Sequence, residues 1–130
     1  MKFTKIKETC LYVRDLEKAK EFYSGALGLP VIGYEQEKHL FLRVGVSVLL
    51  LFNPDDSKEK VSPPPHFGGG KQHFAFEVAT HAYEDSKDQI SGKGIAIIDE
   101  ITWRSGKKSF YFNDPEGNVL EIVPEEGVWD

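Results

Sequence analysis

One cysteine, Cys10, stands in a chain of 130 residues. An intrachain disulfide is therefore impossible, and nothing in the sequence asks for an oxidising compartment. Positive charge is also scarce: 16 Lys and Arg against 21 Asp and Glu give a net charge of -5. That balance disfavours nonspecific attraction to nucleic acid or anionic membrane, and no basic cluster interrupts it. No apolar run approaches a membrane span. The segment Met1–Glu8 alternates apolar and charged residues, unlike a signal peptide. These absences leave a cytoplasmic protein as the expectation, with no nucleic-acid or membrane partner. Its partners are small molecules or a second copy of itself. What is present, 40% hydrophobic and 28% charged residues, suits one domain with a real core.

Periodicity orders the chain. Lys5–Val13 reads as a strand, and Asp15 can cap the helix after it. Leu16, Ala19, Phe22, Tyr23, Ala26 and Leu27 form one apolar stripe at helical spacing, which Gly28 can end. Val31–Glu37, Leu40–Val44 and Val46–Phe52 read as three strands. Residues 54–71, with Pro63-Pro64-Pro65 and Gly68-Gly69-Gly70, read as a linker or an ordered flap. The pattern then restarts: a strand at Gln72–Val78, a polar helix at Ala82–Ser91, and strands at Ile95–Trp103, Ser109–Asn113 and Val119–Val123. Asp114-Pro115-Glu116-Gly117 has the composition of a type I turn.

The sequence thus predicts an α+β fold of two βαβββ units, residues 4–53 and 72–125, forming paired cupped sheets around a cleft. Laying one unit on the other aligns Glu8–Val13 with His73–Val78. Strand side chains alternate, so Thr9, Leu11 and Val13 share a face with Phe74, Phe76 and Val78. Glu8, Cys10 and Tyr12 match His73, Ala75 and Glu77 on the other face. On the last strand, Leu120 and Ile122 take the helix side and Glu121 the opposite one. If the two cups meet, Glu8, His73 and Glu121 converge.

Three segments carry a resemblance: Leu11–Leu29 (LYVRDLEKAKEFYSGALGL), Phe110–Val123 (FYFNDPEGNVLEIV) and, more weakly, Gln72–Val78 (QHFAFEV). The chain resembles the vicinal oxygen chelate superfamily, which includes glyoxalase I, extradiol dioxygenases, fosfomycin-resistance enzymes and bleomycin-resistance proteins. The resemblance implies a divalent metal (Mn, Fe, Ni or Zn) held by Glu8, His73 and Glu121, with Glu121 also catalytic. It implies lyase or isomerase, dioxygenase or fosfomycin-type transferase chemistry on a small oxygen-rich substrate. The alternative is a metal-free binding protein of the bleomycin-resistance kind. Glyoxalase I takes a further ligand from the strand that here reads Val48-Leu49-Leu50-Leu51-Phe52, where no residue can ligate. Dimers are usual in such families, so a homodimer is expected. Tyr111, Cys10 and Arg43 are the substrate-contact candidates, each with a plainer reading as a packing aromatic, a small buried hydrophobe and a surface cation. His66, in the linker, reads as a solvated loop histidine or a mobile acid or base; His39 and His81 carry no assignment. Gly68–Lys71 is not a phosphate loop, because Gln72 follows the Lys.

Overall fold

The computed structural model describes all residues, 1–130, as two compact units, Met1–Gly70 and Lys71–Asp130. The first runs β1 (Glu8–Tyr12), α1 (Leu16–Lys20), β2 (Val31–Glu35), β3 (His39–Val44), β4 (Ser47–Phe52) and α2 (Pro54–Ser57). Its sheet has the order β1-β4-β3-β2, with β1 parallel to β4 and the remaining pairs antiparallel. The second unit holds β5 (His73–Val78), α3 (Tyr83–Gly92), β6 (Asp99–Thr102), β7 (Lys108–Asn113) and β8 (Val119–Pro124). Its order, β5-β8-β7-β6, repeats the first, including the parallel outer pair. No helix is long and apolar enough to cross a membrane.

Each sheet buries one face under its helix. In the first unit Leu11, Leu40, Leu42, Leu49 and Leu51 are buried, as are Leu16, Ala19 and Tyr23 of the helical segment. Burying a Leu side chain contributes about 1.5–3 kcal/mol, so this layer is the main support of the unit. Asp15 caps α1 by accepting from the Lys18 amide at 3.0 Å. The helix then widens into a π-helical turn, Glu21–Ala26, before Gly28 turns the chain at φ +75°. In the second unit Phe110, Phe112, Leu120 and Ile122 form the layer, with Tyr83 and Ile90 of α3 against it. The Tyr83 and Phe110 rings meet edge-on at 5.5 Å.

Several boundaries differ from expectation for want of a hydrogen-bonding partner. β1 begins at Glu8, not Lys5: the amide of Val48 bonds the Lys7 carbonyl at 3.2 Å, and no strand lies beside the residues before it. β6 is confined to Asp99–Thr102, because residues 93–95 still close the end of α3 and the chain first reaches β7 where the Ile98 amide donates to the Tyr111 carbonyl at 2.8 Å. The linker is ordered on the first unit. Asn53 caps α2 and also donates to the Glu37 carbonyl at 2.8 Å. The Ser57 hydroxyl donates to the His66 carbonyl at 2.7 Å. His66 is consequently no free loop histidine: it is half-buried, its ring edge-on to Phe52 at 4.6 Å and its Nδ1 2.8 Å from the Tyr12 hydroxyl.

Register makes the internal repeat quantitative. Glu8 pairs with Val48 and Cys10 with Leu50; His73 pairs with Val119 and Ala75 with Glu121. Glu8 is therefore the counterpart of His73, and Leu50 the counterpart of Glu121. The strand position that carries a carboxylate in one unit carries an apolar side chain in the other.

Candidate metal site on the second sheet

The open face of the second sheet, away from α3, brings together His73, Glu121 and Tyr111. His73 begins β5 beside Val119, and Glu121 lies opposite Tyr111 across the β7–β8 ladder. The connection preceding β8 fixes this alignment. Asp114 accepts from the Glu116 and Asn118 amides, each at 2.9 Å, and from the Asn118 side-chain amide at 2.9 Å. Asn118, fully buried, accepts in turn from the Gln72 amide at 3.0 Å. One side chain thus ties the turn to the residue before His73. Sequence reading missed Asn118; the signal for it was an Asp followed four residues later by an Asn at the end of a turn, a self-capping pattern.

His73 Nδ1 lies 2.8 Å from the Val119 carbonyl. A carbonyl only accepts, so Nδ1 carries the proton and the neutral ring has its lone pair on Nε2. Nε2 lies 3.3 Å from Glu121 Oε2. Two Lewis bases face each other, and a proton or a metal ion between or beside them relieves the repulsion. The second carboxylate oxygen, Oε1, is buried without a hydrogen-bond partner, and the Glu121 side chain is only 8% exposed. A half-paired, buried carboxylate is expensive unless something binds it. The Tyr111 ring stacks near His73 at 6.1 Å. Burial pushes the Tyr111 phenol up, with the Glu121 carboxylate adding to the shift, so it remains a hydrogen-bond donor.

These donors fit a divalent metal. One imidazole nitrogen and one carboxylate on rigid strands suit a borderline ion, and the Nδ1–H bond to a carbonyl is the support that ligating histidines commonly have. Within the second unit no third His, Cys, Asp or Glu completes a ligand cluster.

Glu8, Cys10 and Arg43 all belong to the first unit. Glu8 is exposed at the start of β1 and shares a face with Cys10 and Tyr12. Arg43 pairs with Val48, so Glu8 and Arg43 flank Val48 across three strands. Tyr12 was placed on this face by strand alternation, but its hydrogen bond to His66 was not foreseen. Burial raises its pKa, helped by the Cys10 thiol beside it. His39 is a second unforeseen feature: it stacks flat on Phe41 at 4.2 Å, with Nδ1 buried and unpartnered.

Comparisons with known proteins agree with this architecture. The family model of the Glyoxalase/Bleomycin resistance protein/Dioxygenase superfamily matches residues 5–122. A lactoylglutathione lyase from Agrobacterium tumefaciens superposes with a TM-score of 0.89 at 31% identity, covering 94% of each chain. The glutathione transferase FosA of Serratia marcescens is 29% identical over 115 residues, which is 86% of this chain and 74% of FosA. The fosfomycin resistance protein FosX of Listeria monocytogenes, solved with Mn(II) and a dihydroxypropylphosphonic acid, shares the fold at a TM-score of 0.68 and 18% identity, over 94% of this chain and 90% of that one. With the family match spanning both βαβββ units, the chain belongs to the Glyoxalase/Bleomycin resistance protein/Dioxygenase superfamily.

Proposed function

We propose that this protein is a divalent-metal-dependent enzyme of the glyoxalase type, acting on a small oxygen-rich substrate. The observation that carries this reading is the lone pair of His73 Nε2 facing Glu121 Oε2 at 3.3 Å, with Oε1 left buried and unpartnered. His73 and Glu121 would hold the metal, and Glu8 is proposed as the third ligand. Bound there, the metal supplies Lewis-acid polarisation of a substrate oxygen. The chain's own groups do the rest. The Val119 carbonyl holds the His73 tautomer, the buried surroundings of Glu121 keep water from competing for its oxygens, and Tyr111 offers a phenol proton to the substrate. Cys10 and Arg43 are proposed as further substrate contacts, and a homodimer as the working assembly.

The test is a titration of Mn²⁺, Ni²⁺ or Zn²⁺ followed by melting temperature, because a ligand that prefers the native state raises it. Wild type should respond and Glu121→Ala should not. An undiminished response in the variant means that the metal binds elsewhere. A second reading, a metal-free binding protein, draws support from Leu50: the first unit presents an apolar side chain where the second presents Glu121. A wild type that ignores all three metals would favour it.

A further inference from the structure

Phe52 is covered more deeply than its place on the first sheet accounts for. It lies on the open face, paired with Tyr12 on β1 and His39 on β3. Val48 and Leu50, its neighbours on that face of β4, are half-buried, yet Phe52 is 8% exposed. Phe41 meets the ring at 5.6 Å from within the sheet. The rest of the cover is His66, edge-on at 4.6 Å, brought in by the segment after α2. The same imidazole sets Nδ1 at 2.8 Å from the Tyr12 hydroxyl. Burial keeps the Tyr12 proton in place, so the phenol can donate and Nδ1 accept. The segment is otherwise loosely held. Between Val61 and Gly70, His66 is the residue hydrogen-bonded to the rest of the unit; besides Tyr12 it uses Ser57, whose carbonyl accepts from the His66 amide at 3.3 Å and whose hydroxyl donates to the His66 carbonyl at 2.7 Å. Val61, Pro63, Pro64, Pro65 and Phe67 are exposed. Gly69 and Gly70 stand in open space, Gly70 at φ +82°, so nothing packs against the chain where it would pivot.

We propose that residues 61–70 are a gate on the open face of the first sheet, latched by His66, and that the slot His66 fills between Tyr12 and Phe52 is a binding site for a planar heteroaromatic ring with an acceptor nitrogen. The imidazole is the chain's own specimen of that ligand: a flat ring against Phe52, with a nitrogen facing a phenol. An incoming ring of the same kind takes over the Tyr12 proton and the Phe52 contact, and the segment swings away on its glycines. A tethered ring holds the slot at high effective concentration. A natural ligand therefore displaces it by adding contacts elsewhere on the face, where Leu50 and Cys10 are half-buried, and those contacts make the opening selective. The site makes no use of His73 or Glu121, so it stands whether or not metal binds there.

Chymotryptic cleavage after Phe67 in the full chain reads the opened population, because a protease needs the segment free of the sheet. Hydrogen exchange of the β8 amides, followed in parallel, separates gate opening from global unfolding. His66→Ala should be cut about tenfold faster than wild type, as the loss of one hydrogen bond and one ring contact allows. Tyr12→Phe keeps the ring and removes the hydroxyl, and should be cut faster by a smaller factor. Neither should change β8 exchange. Imidazole itself is the ligand probe. It should speed cleavage of wild type saturably, with protease activity on a free peptide as the control, whereas pyrrole, a ring of the same size without an acceptor nitrogen, should not. Tyr12→Phe should lose the imidazole response. Wild-type cleavage rates in both variants overturn the latch. Imidazole that acts no better than pyrrole on wild type, or that acts equally on Tyr12→Phe, overturns the slot. If His66→Ala does not fold, Tyr12→Phe and the two probes decide both points.

Discussion

Asn118 holds Asp114 with two hydrogen bonds, one from its backbone amide and one from its side chain, both 2.9 Å long and both buried. Because Asn118 also accepts from Gln72, its truncation reaches the site. Asn118→Ala should leave the Asp114 carboxylate and the Gln72 amide short of partners, at about 1–3 kcal/mol for each orphaned group. Urea denaturation measures the loss. Metal affinity should fall alongside it, since the residue before His73 is no longer fixed. A variant as stable as wild type would show that water replaces the side chain at no loss.

Leu120 and Glu121 are sequence neighbours on opposite faces of β8, so their variants should behave oppositely. Leu120→Ala opens a cavity under α3 and should destabilise by about 2–5 kcal/mol, with little direct effect on metal affinity. Glu121→Gln should leave the metal-free protein as stable or more so near neutral pH, because a half-paired buried carboxylate becomes neutral, while metal binding weakens. Denaturation of both variants with and without Mn²⁺ checks this. Strong destabilisation of metal-free Glu121→Gln would make Glu121 a structural partner of His73.

Much of this pair was legible in the sequence, for a physical reason. Strand alternation has a period of two, so once Leu120 and Ile122 are assigned to the helix side, Glu121 has only one place to go. The repeat made Glu8 the counterpart of His73 in the same way, and register then identified Leu50 as the counterpart of Glu121. What could not be read depends on contacts that carry no period. The Tyr12–His66 bond spans 54 residues and needs the linker to fold back. The late start of the first strand, at Glu8, depends on which neighbour is absent. The π-helical turn after α1 keeps an apolar stripe that looks like ordinary α-helix in the sequence.

His39 makes stability depend on pH. Burial lowers its pKa, with Glu35 and Asp56 pulling upward and Lys60 and Lys38 downward. The folded state thus prefers the neutral ring. The stability it contributes is full above the ordinary imidazole value of about 6.5 and is lost as pH falls through the lowered folded value. His39→Phe keeps the stack on Phe41 and has nothing to protonate. Its denaturation midpoint should therefore fall less between about pH 7 and pH 5 than that of wild type. Parallel curves for the two proteins would assign the acid sensitivity to other groups.

Leu50 occupies the register position that Glu121 holds in the second unit. If lactoylglutathione-lyase chemistry needs a carboxylate at the place where this chain has Leu50, wild type should turn over the methylglyoxal–glutathione adduct poorly or not at all. Product formation followed by absorbance decides it. Robust turnover would mean that three protein ligands, or fewer, suffice.

The parallel pairing of β5 with β8 joins residues 46 apart in sequence, as in His73 and Val119. Such non-local pairing is slow to form, because the loop must close before any contact rewards it. His73 and Glu121 lie on the two strands of that pairing, so the pair does not exist until the last strand has docked. The site therefore reports the completion of folding. A metal that binds only the finished pair would act on the kinetics of unfolding, holding shut a contact between distant parts of the chain.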